Sequence, residues 1–175
     1  MDWYSTVFEL IDMRSFSNLW YWIALAVVWS TSSHWVIGVP YDLVLRAGRS
    51  EGQAQVDLED LVRINCNRLI YINEVSGLWI LAFACALLTG LGLLGFIYQI
   101  EFAQALFLLA FPLSLVALLG QNTAHTIHDR GLDGEALRKL LRRRRLYTQI
   151  IGLLAIFITA MWGMYQNMIH SALGS

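Results

Sequence analysis

The sequence predicts an all-α integral membrane protein. It is read as a four-helix bundle with both termini non-cytoplasmic, a short N-terminal interfacial helix and a basic cytoplasmic helix. Three observations predict this. Hydrophobic residues make up 57% of the 175-residue chain and charged residues only 14%, against about 25% charged in soluble domains. Four apolar runs reach the ~20 residues that a bilayer core requires. All of the 12 Lys and Arg except Arg14 fall in the first and third connections between runs, which the positive-inside rule assigns to the cytoplasm.

Residues 3–13 read as an amphipathic helix at the membrane surface. Trp3, Val7, Leu10 and Ile11 share a face that Glu9 and Asp12 avoid. The first span is expected over about 19–39. Trp20, Tyr21 and Trp22 mark one interface and Trp35 and Tyr41 the other, and Pro40 ends the helix because it has no N–H to give.

A cytoplasmic connection over about 41–73 carries Arg46, Arg49, Arg63 and Arg68, with its flexible part at 47–52. Asp57 is expected to cap a helix, with Val56 and Leu61 as a hydrophobic staple. That helix continues into the second span, about 75–97, and Leu58, Val62, Cys66 and Leu69 share its first apolar face.

The link 98–101 fits only a tight helical hairpin. The third span, about 102–121, holds Pro112, which deprives the Leu108 carbonyl of its donor and predicts a kink. A cytoplasmic connection over about 122–146 follows. It has a turn at 129–131, then a basic helix capped by Asp133, with Leu132 and Leu137 as a staple and Leu137, Leu140 and Leu141 as its apolar face. The fourth span is expected over about 147–168, leaving a short tail with His170. The chain forms one membrane domain of 1–175.

Several function classes are excluded at this level. Cys66 and Cys85 show no CxxC or Cys/His ligand spacing, and an iron–sulfur cluster takes about four cysteines. Asp2, Glu9 and Asp12 outweigh Arg14 near the start, the reverse of a secretory n-region. There is no GxSxG, Walker loop, GxGxxG or HExxH, so no enzyme is expected. Glu74 and Glu101 lie at span ends, and a proton- or ion-coupled carrier usually buries an acid deeper. The basic residues adjoin a span and no recognition fold is present, so no nucleic acid is expected as a partner.

Three sets of residues are candidates for function. The first is a polar cluster at the cytoplasmic boundary: His34, Asn73, Glu74, Gln121, His125 and His128. On the third span Ala110, Ser114, Ala117, Gln121, His125 and His128 fall within about 80° of one another, and on the first Ala26, Ser30, Ser33 and His34 do much the same. Imidazole binds metals and haem iron and relays protons. His34 and His125 differ in expected depth by about 10–15 Å, which disfavours shared haem ligation. The main reading is therefore structural: His34 packed inside the bundle, His125 and His128 at the water boundary without metal. No cofactor is expected, with haem, another metal or a quinone contact as the alternative.

The second set is the basic patch Arg138, Lys139, Arg142, Arg143, Arg144 and Arg145. It reads as a topology anchor whose side chains snorkel toward anionic lipid headgroups, with a dock for an acidic cytoplasmic protein as the alternative. The third comprises two small-residue stripes, Ala82, Ala86 and Gly90 on the second span and Ala155, Thr159 and Gly163 on the fourth. Such stripes let helices approach closely in lipid. Internal packing of one bundle is the plainer reading, and a docking face for another membrane protein the sharper one.

The opening MDWYSTVFELIDMRSFSNLWYWIALAVVWS, followed by HWVIGVPYDLV, resembles a family of small, uncharacterised bacterial inner-membrane proteins, and the likeness covers the whole chain. That family is sometimes labelled a component of the SUF (SufBCD) iron–sulfur assembly complex. The resemblance implies a bacterial inner-membrane location and, through the label, a membrane accessory to that complex. It brings no catalytic motif. The soluble scaffold, ATPase and desulfurase parts of the SUF system carry their own signatures, which are missing here. The expected function is a non-enzymatic accessory or scaffold that binds a partner protein or complex. The alternative is a histidine-ligated redox or metal protein.

Overall fold

A computed structural model describes residues 15–49 and 52–172. The proposed interfacial helix over 3–13 lies outside the described residues. The described residues are all-α apart from one minimal hairpin. A 3-10 turn (Ser15–Ser17) leads into α1 (Leu19–His34), β1 (Trp35–Val36) and β2 (Val39–Pro40). Then come α2 (Tyr41–Arg49), α3 (Gln53–Gly92) with a π-helical turn at Leu93–Ile97, α4 (Glu101–Arg130) and α5 (Gly134–Ala172). Three helices, α3 with its π turn, α4 and α5, are long and apolar enough to cross a membrane. The chain is a multi-pass membrane protein.

α1 starts where the Asn18 side chain accepts the Trp20 N–H at 3.0 Å, an N-cap bond. It stops earlier than the sequence suggests. Its 16 residues span about 24 Å at 1.5 Å per residue. The rest of the expected run, 35–39, forms with Pro40 an antiparallel ladder pairing Trp35 with Pro40 and Val36 with Val39. Ile37 (φ 54) and Gly38 (φ 71) turn it, the doubly positive pattern of a two-residue hairpin loop. The β-branched Val36 and Val39 favour the ladder, and the donorless Pro40 lies at its edge.

The caps also differ. Gly52 precedes α3, which opens at Gln53. Asp57 is therefore inside the helix, where it accepts from Gln53 Nε2 at 2.8 Å. Gly131 (φ 54) closes α4 with its N–H on the His128 carbonyl, while the Leu132 N–H reaches Ile127. This pair of bonds is a Schellman motif; Asp129 and Arg130, expected in the turn, are the last residues of α4, and the chain turns from Gly131 to Asp133. The basic helix and the last apolar run are one continuous helix, α5.

Two apolar cores hold the bundle. At the basic end Val36, Val39, Val44 and Ala47 meet Leu58, Val62 and Cys66 of α3, Ala124 and Ile127 of α4, and Leu137 and Leu141 of α5. In the middle Leu25 and Trp29 of α1 meet Ala155 of α5, flanked by Leu109, Leu113 and Val116 of α4. The Trp29 ring fits against Gly152, where a Cβ would lie 2.7 Å from it.

A polar knot ties the opposite end. Gln104 is fully buried. Its Nε2 donates to the Gly95 carbonyl at 2.7 Å, and its Oε1 accepts from Trp162 Nε1 at 2.9 Å and Gln166 Nε2 at 2.7 Å. The Phe16 N–H donates to Glu101 Oε1 at 2.7 Å, and Trp22 Nε1 donates to the Phe16 carbonyl at 3.0 Å.

Gln104→Leu removes the acceptor shared by Trp162 Nε1 and Gln166 Nε2 and the donor to the Gly95 carbonyl. It is expected to cost about 1–3 kcal/mol in reversible unfolding in mixed micelles. Gln149→Leu, exposed on α5, serves as the control and should stay within about 0.5 kcal/mol. Equal effects would show that the buried knot carries no special stability.

Candidate functional site at the basic end

The polar cluster is brought together only in part. Asn73 Nδ2 approaches His125 Nε2 at 3.5 Å, joining α3 to α4 where both helices leave their apolar runs. Glu74 and His128 are exposed. Gln121 is half-buried, and its Oε1 is enclosed with no hydrogen-bond partner.

His34 does not pack inside the bundle. It lies exposed at the end of α1 with its ring edge-on to Trp35, centroids 6.1 Å apart. The reason is the rotation of α1. Trp29 and Leu25 are the residues that α4 and α5 accept, which turns Ala26, Ser30 and His34 outward. Among the described residues no group of three or more His, Cys, Asp and Glu is disposed to hold a metal ion.

The four consecutive arginines serve four different purposes. Arg142 is exposed, its Nη2 3.3 Å from where a Cβ on Gly48 would lie. Arg143 Nε donates to Tyr147 Oη at 2.6 Å, and its guanidinium carbon is 5.3 Å from that ring's centroid. Arg144 is buried at 7% exposure. It donates through Nη1 to Thr148 Oγ1 at 3.0 Å and through Nη2 to the Val116 carbonyl, while its Nε is enclosed without a partner. Arg145 lies 3.8 Å over the Tyr41 ring, and its Nε donates to the Ser33 carbonyl at 3.2 Å. Both contacts of Arg145 tie the α1–α2 corner to α5.

A common snorkelling role thus does not describe Arg144. The signal was in the sequence. Leu137, Leu141, Arg144, Thr148 and Gly152 recur at the four- and three-residue steps of a buried helix stripe.

The residue that docks the start of α5 was also missed. Glu59 of α3 accepts the Gly134 N–H at 2.8 Å, placing a carboxylate on the first residue of α5, where the helix dipole favours it. The Asp133 side chain, expected to cap here, is exposed, and only its carbonyl takes part, accepting the Leu137 N–H at 3.1 Å. Gln55 Nε2 also donates to Glu59, and Arg138 Nη1 donates to Gln55 Oε1. The Gly134 N–H first and the Gln55 amide second hold the Glu59 carboxyl below its ordinary value. Nothing in the local sequence pairs residues 75 positions apart.

An open cleft of about 450 Å³ lies beside this link, lined by Asp60, Arg63, Cys66, His128 and Asp133 among others. Burial pushes the Cys66 thiol up to about 11. It stays protonated near neutral pH, so it is a poor nucleophile and metal ligand. A second cleft, about 420 Å³, brings Arg138, Lys139 and Arg142 together with Glu135 and Gly48. The described arrangement offers charged, open surfaces. No nucleophile paired with a base is evident among the described residues. No family model, curated protein or solved structure matches the chain.

Glu59→Gln tests the link. The folded pKa lies below the ordinary 4.5, so the contribution is fully present above that value and is lost as pH falls through the folded pKa. Glu59→Gln should lower stability at pH 7 by about 0.5–1.5 kcal/mol, the worth of one such hydrogen bond. It should also flatten the acid limb of a melting-temperature profile below pH 4.5. An unchanged acid limb would refute the assignment.

Proposed function

We propose that this chain is a four-span protein of the bacterial inner membrane, with both ends outside the cytoplasm. In this reading it acts as a non-enzymatic accessory subunit that holds a partner complex at the membrane. The positive-inside rule supports the orientation, since only Arg14 among the 12 Lys and Arg lies outside the two connections at the basic end. The short α1, extended by the turn before it and the hairpin after it, serves as the first crossing.

The observation that carries the accessory role is the bare flank of α3. Only 6% of its most apolar stretch is buried, against 17% in α4 and 28% in α5. Ala82 and Ala86 are exposed, and a Cβ on Gly90 would meet nothing within 4 Å. The corresponding stripe on α5 is consumed internally: Ala155, Thr159 and Gly163 are buried, with Phe16 against Gly163. The stripe on α3 thus remains free for close approach by a helix of another membrane protein. The charged clefts at the basic end then face that partner's cytoplasmic parts. The resemblance to the bacterial family points to an iron–sulfur assembly complex as the partner system.

Two measurements test this reading. A reporter active only in the cytoplasm should be active when inserted within 47–55 and inactive when fused after Ser175. The reverse pattern would overturn the orientation. Ala86→Leu with Gly90→Leu should leave insertion and yield unchanged but reduce partner recovery on affinity purification about tenfold, the effect of ~1.4 kcal/mol. Undiminished recovery would show that α3 faces only lipid.

A further inference from the structure

Arg144 poses a charge problem that its surroundings leave open. A guanidinium removed from water is costly unless it is paired. Its partners are the Thr148 hydroxyl and the Val116 carbonyl, both neutral, and its enclosed Nε has none.

Next to it a small cleft of about 150 Å³ opens between α4 and α5. Arg143, Arg144 and Tyr147 line it from α5, and Leu119, Asn122 and Thr126 from α4. No carboxylate lines it. Tyr147 Oη accepts from Arg143 Nε, which leaves its own proton free to donate. The Thr126 hydroxyl is already spent on the Asn122 carbonyl at 2.8 Å.

The cleft thus gathers two guanidinium groups, a phenol and an amide, with their donors uncommitted in part. Planar guanidinium forks and such donors match the oxygens of a phosphoryl group. The cleft also lies at the right depth. Asn122 follows the apolar run of α4 and Tyr147 opens the apolar run of α5, the boundary at which lipid phosphates stand.

We infer that this cleft is a phosphoryl-anion site in which Arg143 and Arg144 supply the charge and Tyr147 and Asn122 supply further hydrogen bonds. Bound there, a phosphoryl oxygen supplies the counter-charge that the buried Arg144 lacks. Leu119 at the rim suits a lipid phosphate, and a free phosphate shares the same oxygen chemistry. The inference requires only that α4 and α5 cross a membrane. It stands whether or not a protein partner docks on α3.

The test uses the full chain, purified and delipidated in a nonionic detergent. Short-chain phosphatidylglycerol is titrated while the melting temperature is followed, with short-chain phosphatidylcholine and inorganic phosphate as parallel arms. Phosphatidylglycerol should raise the melting temperature saturably. Arg143→Gln should weaken the apparent affinity about tenfold and Tyr147→Phe about threefold, in line with the loss of one charge-assisted and one neutral hydrogen bond. Arg142→Gln, one residue away on a different side of the helix, should match the wild type.

Arg144 itself is left intact, since its removal is liable to unfold the helix pair. Competition by millimolar inorganic phosphate would identify free phosphate as a ligand of the site. Binding that phosphate does not displace would identify the lipid. Equal weakening by Arg142→Gln and Arg143→Gln would reduce the effect to general surface charge and overturn the site, as would the absence of a saturable shift.

Discussion

One buried stripe along α5 organises the whole protein. Leu137, Leu141, Arg144, Thr148, Gly152, Ala155, Thr159, Gly163 and Gln166 are all buried, at steps of three or four residues. A straight helix keeps such a stripe on one side over its full length. Every other element is placed by what it brings to that stripe. The hairpin, α2 and the start of α3 close on Leu137 and Leu141. Trp29 of α1 fills the gap at Gly152. Phe16 packs on Gly163, and Gln104 of α4 meets Gln166. The stripe changes character along its length, from leucine at the basic end, through an arginine and small residues, to a glutamine. That gradient explains why two separate apolar cores form instead of one.

The polar members of the stripe set the limits of the apolar middle. At one end both the oxygen and the nitrogen of the buried Gln104 amide have partners, two side-chain donors and one backbone carbonyl. At the other, Arg144 satisfies a hydroxyl and a carbonyl but keeps an unpaired Nε. A hydrogen bond between membrane helices contributes on the order of 0.6 kcal/mol, whereas an uncompensated buried charge costs several. The first end is therefore closed and structural. The second is left in deficit, and the deficit is charge. The difference between the ends is one of chemistry and does not depend on how many contacts each makes.

Much of this was legible in the residues. Run lengths reveal the long helices, and the clustering of Lys and Arg marks one end of the bundle as basic. The Gly131 turn follows from the pattern of polar residues around it. What was not legible depends on pairings across the fold. The sequence carries the first helix to Val39 because Val36, Ile37 and Val39 are as apolar as any helix residue; periodicity cannot separate a short apolar strand from a helix end. His34 was placed inside because polar residues in a span usually face protein. The bulk of Trp29 decides the rotation of α1 instead. Arg144 was grouped with its neighbours although successive residues on a helix point about 100° apart. Its step from Leu137 and Leu141 already separated it from them. Glu59 and Gly134 give no local sign that they meet.

The two small-residue stripes show why spacing alone does not settle a use. Both repeat every four residues, and sequence treats them alike. On α5 the neighbours are themselves shaped to fit: Phe16 against Gly163, and the Thr159 hydroxyl folded back on the Ala155 carbonyl at 2.7 Å. On α3 the residues around the stripe are large and outward, with Leu78 and Trp79 each 79% exposed and Phe83 70%. α3 is held at its two ends, by Leu58, Val62 and Cys66 in the basic-end core and by Gly95, where a Cβ would lie 2.9 Å from the Gln104 backbone nitrogen. Between those anchors it spans the apolar layer with little support from its own chain. A helix fixed at both ends keeps its direction without lateral packing, so the open flank of α3 is compatible with a stable fold. That leaves its middle available to lipid or to another helix at no cost to the two cores.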